Sequence, residues 1–89
     1  MQTKSITIIN KLGLHARAAA RFVQVASCFE SDVNIAHNGR KVNGKSIMGI
    51  MMLASTKGTE IQITTTGSDE VAALSKLEQL ILARFGEEE

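Results

Sequence analysis

The residues best equipped for chemistry in this chain lie together in Asn10-Lys11-Leu12-Gly13-Leu14-His15-Ala16-Arg17. A neutral imidazole is a nucleophile at physiological pH, and a guanidinium can grip phosphate oxygens two at a time. Together, His15 and Arg17 could take up a phosphoryl group and hold it. Their setting favours the same chemistry. Ile6 and Ile8 alternate with polar residues, as in a half-buried strand over residues 3–9. Residues 16–27 are rich in alanine and contain neither Pro nor Gly, which predicts a helix. His15 then stands about where an N-cap would, beside backbone N–H groups that lack partners and a positive dipole end that accepts anions. That field disfavours an imidazolium and favours the charge of an attached phosphoryl group, so it suits both states of a carrier. Gly13 permits a sharp reversal and keeps the approach open. Against this stands the ordinary case, in which a lone histidine in a small domain is a surface or packing residue.

Ser46 is the second candidate, in Asn43-Gly44-Lys45-Ser46-Ile47-Met48-Gly49-Ile50-Met51-Met52. A serine here is well placed to cap a short helix, and capping alone would explain it. A phosphate at the same spot would be tolerated by the helix yet add roughly −1.5 to −2 charge to the surface, which suits regulation. Ile47, Met48, Met51 and Met52 cannot all turn inward on two turns of helix. Those left outside would form an adaptable partner-binding patch. The alternative, ordinary core plus scattered surface residues, weighs about the same.

These groups need elements to position them. Within residues 16–27 the apolar face is Ala19, Ala20, Val23 and Ala26, with Phe22 flanking it. Residues 32–37 alternate as a strand with Val33 and Ile35 inward, and Asn38-Gly39 is a strong type I′ hairpin signal. Residues 40–43 return as a short, charged edge strand. A helix follows over residues 47–53, with Ile47, Ile50 and Met51 on one face and Gly49 weakening it. Residues 60–66 form a strand with Ile61 and Ile63 inward. Ser68, with Asp69 and Glu70 behind it, starts a last helix whose stripe is Val71, Leu74, Leu77, Ile81 and Phe85. Gly86 and three glutamates read as a frayed, solvated tail. The order β-α-β-β-α-β-α makes a two-layer α+β sandwich, with one sheet face left wet.

Composition narrows the function classes. Eighty-nine residues, 44% of them hydrophobic, make one small domain over 1–89. A net charge of +1 gives no global pull toward nucleic acid or membrane. The basic set Arg17, Arg21, Arg40 and Lys45 is too sparse for a nucleic-acid footprint. It could complement an acidic protein partner. Cys28 is the one cysteine, so no internal disulfide is possible. Neither a signal-peptide layout nor a run long enough to span a bilayer is present, so a cytoplasmic, soluble protein is expected. His15, His37 and Cys28 match no zinc spacing; neither metal nor cofactor is expected.

Gly13-Leu14-His15-Ala16-Arg17, then Lys45-Ser46-Ile47-Met48-Gly49 thirty residues on, and the element order resemble one family over essentially the whole chain. It is HPr, the histidine-containing phosphocarrier of the bacterial phosphoenolpyruvate-dependent phosphotransferase system. The resemblance implies an open-faced sandwich of four antiparallel strands with three helices on one side. It implies a carrier and not a self-sufficient enzyme. His15 would accept a phosphoryl group at Nδ1 from phosphorylated enzyme I and pass it to enzyme IIA domains. Arg17 would neutralise charge, and the N–H groups of Ala16 and Arg17 would hold the phosphoryl oxygens. Ser46 matches the position that a bifunctional serine kinase/phosphorylase modifies in relatives that have one, and transcription regulators are further candidate partners. The chain would act as a monomer. Two features depart from one uniform pattern. Ala18 stands where the family commonly has proline, and alanine suits a first helical turn nearly as well. Asn10-Lys11-Leu12-Gly13 looks like the nitrogen-branch paralogue, whereas residues 45–52 look like the sugar-transport form, so the branch stays open.

Two other functions compete. One is a small regulatory adaptor that docks through Ile47, Met48, Met51 and Met52. The other is a hydrolase with His15 as base, which lacks a recognisable nucleophile or metal partner.

Overall fold

The computed structural model describes residues 1–53 and 55–89. Its elements are β1 (Gln2–Thr7), α1 (Ala16–Ala26), β2 (Asp32–His37), β3 (Arg40–Asn43), α2 (Ile47–Met52), β4 (Glu60–Thr66) and α3 (Glu70–Leu82), followed by a 3₁₀ turn at Arg84–Gly86. The strands form one antiparallel sheet in the order β1-β4-β2-β3. With the three helices over one face, this is the open α+β sandwich that the periodicities predict. Asn38 and Gly39 have φ of 53° and 78°, both in the left-handed region that a type I′ turn requires. The hairpin they close leaves β3 on the sheet edge, where Arg40 and Lys41 face solvent.

Register decides which side chains meet the helices. Ile6 lies opposite Ile61, and Ile35 opposite Ile63, so one sheet face presents a continuous apolar layer. Phe22, Ile50, Leu77, Ile81 and Phe85 cover it from the helical side, all without solvent exposure. Thr3 and Thr64 pair on the other face, which stays wet. Lys4 shares the core-side face with Ile6, but β1 is an edge strand and the lysine reaches out to the Glu78 carboxylate on α3.

The packing corrects several predicted faces. Phe22 is not a flank: it is fully buried, with Ala18, Ala19 and Ala26, while Ala20 and Val23 are only half-buried. The small alanines bring α1 close to the sheet, so the helix turns its one large side chain toward the core. On α2 only Ile50 is buried. Ile47 and Met51, expected to share its face, are exposed because six residues cannot wrap further around the core. On α3 the buried stripe is Ala73, Leu77 and Ile81; Val71 is exposed, and Phe85 belongs to the 3₁₀ turn.

Ser68 does not cap α3. Asp69 occupies the N-cap position, and its carboxylate reaches across to the loop between α1 and β2 instead of capping its own helix. There it accepts from the Ser31 hydroxyl and from the N–H groups of Glu30 and Ser31, each N–H at 3.0 Å. The Ser31 hydroxyl and then the Glu30 N–H hold its carboxyl below the ordinary range, against a smaller opposing effect of desolvation. A folded-state value below the unfolded one stabilises the protein above the unfolded pKa, and that stability is lost as pH falls through the folded pKa. Asp69→Asn should therefore lower the melting temperature at neutral pH and weaken its decline below about pH 4. Melting curves between neutral and acid pH for both proteins check this; parallel curves would remove Asp69 from the acid response.

Candidate functional site

His15 occupies the N-cap position of α1 with extended backbone, φ −78° and ψ 179°. Its carbonyl accepts the Ala19 N–H at 2.8 Å, but its side chain makes no capping hydrogen bond. A serine or aspartate here would turn back onto the helix; histidine leaves the first-turn donors open and its own ring free for other contacts. The loop before it is pinned. Gly13, at φ +68°, packs so tightly on the 55–56 backbone that a Cβ would fall 2.4 Å from the Ser55 carbonyl oxygen. The Leu14 N–H donates to that same oxygen at 2.9 Å. Asn10 is fully buried, and its Nδ2 donates to the Gly13 carbonyl at 2.8 Å.

Of the four basic groups singled out above, three are occupied in holding the fold. Arg21 Nη1 donates to the Phe85 carbonyl at 2.6 Å, Arg40 Nη1 to the Met52 carbonyl at 3.0 Å, and Lys45 Nζ to the Phe29 carbonyl at 2.8 Å. Arg40 thereby places a cation on the last carbonyls of α2. Arg17 is exposed, and among the described residues its guanidinium has no hydrogen-bond or ion-pair partner. It lines an open cleft with Leu12, His15, Ala16 and the chain end.

The chain end is the largest departure from expectation. Instead of fraying, it lies on the site. The Glu87 carboxylate bonds Nε2 of His15 through one oxygen and accepts Asn10 Nδ2 at 2.9 Å through the other. Burial works against the Glu87 charge, but the hydrogen bonds from Asn10 and His15, with the electrostatic attraction of His15 and Arg17, outweigh it and hold the carboxyl below its ordinary range. Farther out, the Glu89 carbonyl accepts the Lys11 N–H, and its carboxylate pairs with the Lys11 ammonium at 3.1 Å. No short-range signal could have located Glu87, because it meets His15 across seventy-two residues of chain.

Ser46 lies outside this cleft, at the N-cap of α2, where its hydroxyl accepts the Gly49 N–H at 3.1 Å. Met48, Met51, Met52 and Ile47 are all exposed on the helix that Ser46 caps, so none of the four is core. His37 and Cys28 are elsewhere: His37 Nδ1 bonds the Glu60 carbonyl at 3.1 Å, and Cys28 is a free, exposed thiol.

The expectation that the chain has no Gly-x-x-x-x-Gly-Lys is wrong as to spelling: Gly39-Arg40-Lys41-Val42-Asn43-Gly44-Lys45-Ser46 matches the Gly-x-x-x-x-Gly-Lys-Ser pattern of a phosphate-binding loop. The structure denies it that role. Its middle is strand β3, the Gly44 N–H donates to Val33, the Lys45 N–H to Asn43 Oδ1, and the Lys45 ammonium to Phe29. Neither those donors nor the lysine is left for a phosphate.

The chain as a whole has close relatives among known proteins. Residues 2–83 match the family described as "PTS HPr component phosphorylation site". Over all 89 residues of both chains, the protein is 56% identical to phosphocarrier protein HPr of Neisseria meningitidis serogroup A. Its identity to phosphocarrier protein HPr of Cupriavidus necator is 52%, again across the full length of both. The crystal structure of HPr from Thermoanaerobacter tengcongensis superimposes with a TM-score of 0.96 at 47% identity, covering 100% of each chain. The family match, the full-length identities and the superposition agree, and the chain belongs to the HPr family of the phosphotransferase system.

Proposed function

We propose that this protein is a phosphoryl carrier that accepts a phosphoryl group on Nδ1 of His15 from phosphorylated enzyme I and passes it to enzyme IIA domains. The observation that carries the reading is the placement of His15 at an uncapped helix start beside Arg17, the one member of the basic set without a partner among the described residues. In the transfer, the Nδ1 lone pair forms the new N–P bond as the bond to the donor nitrogen breaks and its electron pair returns to that nitrogen. The Arg17 guanidinium and the N–H groups of Ala16 and Arg17 meet the charge on the phosphoryl oxygens. No proton has to move to or from water. In this reading the whole chain acts as one cytoplasmic, monomeric carrier domain. It stores the phosphoryl group between two enzymes and is not itself an enzyme.

The test is incubation with enzyme I and labelled phosphoenolpyruvate. Label that is lost in acid and kept in base identifies phosphohistidine, whereas absence of label with both sugar-branch and nitrogen-branch enzyme I would refute the carrier. Arg17→Ala should slow transfer while leaving docking nearly intact, and the reverse pattern would remove its assigned role.

Regulation at Ser46 belongs to the same reading, with the exposed Ile47, Met48, Met51 and Met52 as the docking surface for enzyme I, IIA domains, a serine kinase/phosphorylase or transcription regulators. Ser46→Ala deletes the acceptor for the Gly49 N–H and should cost about 1 kcal/mol of stability. Ser46→Asp keeps an acceptor at the N-cap, so stability should stay within about 0.5 kcal/mol. Its added charge should weaken enzyme I docking by roughly tenfold or more. Calorimetric titration with enzyme I reads the docking; unchanged affinity for Ser46→Asp would remove the regulatory role.

A further inference from the structure

The last five residues are built to return to the site. Arg84 and Phe85 both have φ of 55°, a left-handed conformation that residues with side chains seldom adopt, and Gly86 follows at 80°. The Gly86 N–H closes the turn on the Ala83 carbonyl at 3.0 Å and the Glu87 N–H on the Arg84 carbonyl at 2.9 Å, and two further contacts tie it to the body of the protein. The Phe85 ring is fully buried in the core, and Arg21 Nη1 clamps the Phe85 carbonyl. A Cβ on Gly86 would lie 2.3 Å from that same Arg21 nitrogen, so the chain passes directly against the clamp. Beyond the turn, Glu87 is caught between His15 Nε2 and the buried amide of Asn10. Strain held at one point by burial and a clamp, and used to deliver one side chain to one atom, points to a role for that side chain.

We propose that Glu87 is a positioning residue for phosphoryl transfer: its carboxylate binds the His15 Nε2–H, keeps the proton on that nitrogen and leaves the Nδ1 lone pair for phosphorus. An ionised carboxylate can only accept hydrogen bonds, so its contact with Nε2 requires the proton to be there. Among the described residues Nδ1 has no hydrogen-bond partner. When Nδ1 forms its bond to phosphorus, the donor's bond breaks and the Nε2 proton stays in place. The ring then carries positive charge, and Glu87 is its counterion on the edge away from the phosphoryl group. Asn10, held by Gly13, keeps the carboxylate from following the incoming charge. The same loop thus orients both the histidine and its acceptor.

The kinetic half of this proposal rests on the carrier reading; the spectroscopic half does not. Glu87→Gln puts an amide where the carboxylate was, and its N–H₂ can donate to an unprotonated Nε2. In ¹⁵N NMR of histidine-labelled protein at a pH where the ring is neutral, the native protein should show the Nε2–H tautomer and the variant a raised share of Nδ1–H. With phosphorylated enzyme I, Glu87→Gln and Glu87→Ala should both lower kcat on the order of tenfold, with KM little changed. An unmoved tautomer with native kcat would overturn the proposal. So would a change in KM alone, the mark of a docking contact, or a rise in kcat, the mark of a carboxylate that shields the ring. Failure of the native protein to take up label would count against the carrier reading alone, and the ¹⁵N spectra would still decide whether Glu87 sets the tautomer.

Discussion

Replacing His15 with alanine should abolish acid-labile phosphorylation by enzyme I and phosphoenolpyruvate while leaving the fold nearly as stable as before. The first half follows from the chemistry of the proposed reaction. The nucleophilic nitrogen is gone, and no other group lining the cleft can replace it: Arg17 and Lys11 are cations, and the glutamates are held to other partners or open to solvent. The second half follows from how little the ring does for the structure. Its side chain makes no cap, remains 27% exposed, and has Glu87 as its hydrogen-bond partner. The backbone carbonyl that starts α1 survives the substitution. A stability change below about 1 kcal/mol is therefore expected, well under the cost of losing a true N-cap or a core side chain. Phosphorylation assays and denaturant melts on the same preparation check both halves. A destabilisation of several kcal/mol would mean that the histidine is structural. Retained label would mean that the acceptor lies elsewhere.

Gly13→Ala should be the most destabilising conservative change near the site, and should impair transfer without touching a reacting group. The methyl would lie 2.4 Å from the Ser55 carbonyl oxygen and 2.9 Å from the Thr56 Cα, both backbone atoms that cannot rotate aside. Alanine also resists φ +68°, at about 1–2 kcal/mol. The loop has to lift, losing the Leu14 bond to Ser55 and the Asn10 bond to Gly13, each about 1 kcal/mol. Together these give a loss of roughly 3 kcal/mol, or about 15 °C in melting temperature for a domain of this size. His15 follows two residues later, so the lift displaces the ring from both Arg17 and Glu87. A misplacement of about 1 Å can cost about a hundredfold in rate. Thermal melts and transfer kinetics at a temperature where the variant is folded measure the two effects separately. A variant as stable as the native protein would show that the loop is not pinned at Gly13. A stable loss of fold with normal transfer per folded molecule would show that pinning does not serve the site.

Much of the fold follows from interactions within a few residues. Period-two alternation identifies β1, β2 and β4, because Ile6, Val33, Ile35, Ile61 and Ile63 each need only a pleat to reach one side of the sheet. Asn38-Gly39 specifies its hairpin because both residues tolerate the backbone that the turn imposes. Ser46 specifies its cap because donor and acceptor are three residues apart. His15 and Arg17 are legible for the same reason: their places at the start of α1 are local to the loop and helix that hold them.

The residues alone set the element order, the sandwich, the His15–Arg17 pairing at a helix start and the resemblance to HPr. Tertiary packing decided the rest. It turned Phe22 to the centre of its helix face, because neighbouring alanines let that face approach the sheet and only there could the ring be fully buried. It took Asp69 from its own helix and gave it to Ser31, since three donors across a loop outcompete one local cap. It brought a tail of glutamates, hydrophilic and featureless as a string, onto His15. Phe85 needed burial, Arg21 needed an acceptor, and the turn that satisfies both points Glu87 at the imidazole. Local preference acts through neighbours along the chain, whereas that contact exists only because distant groups share one core and have to fill it together.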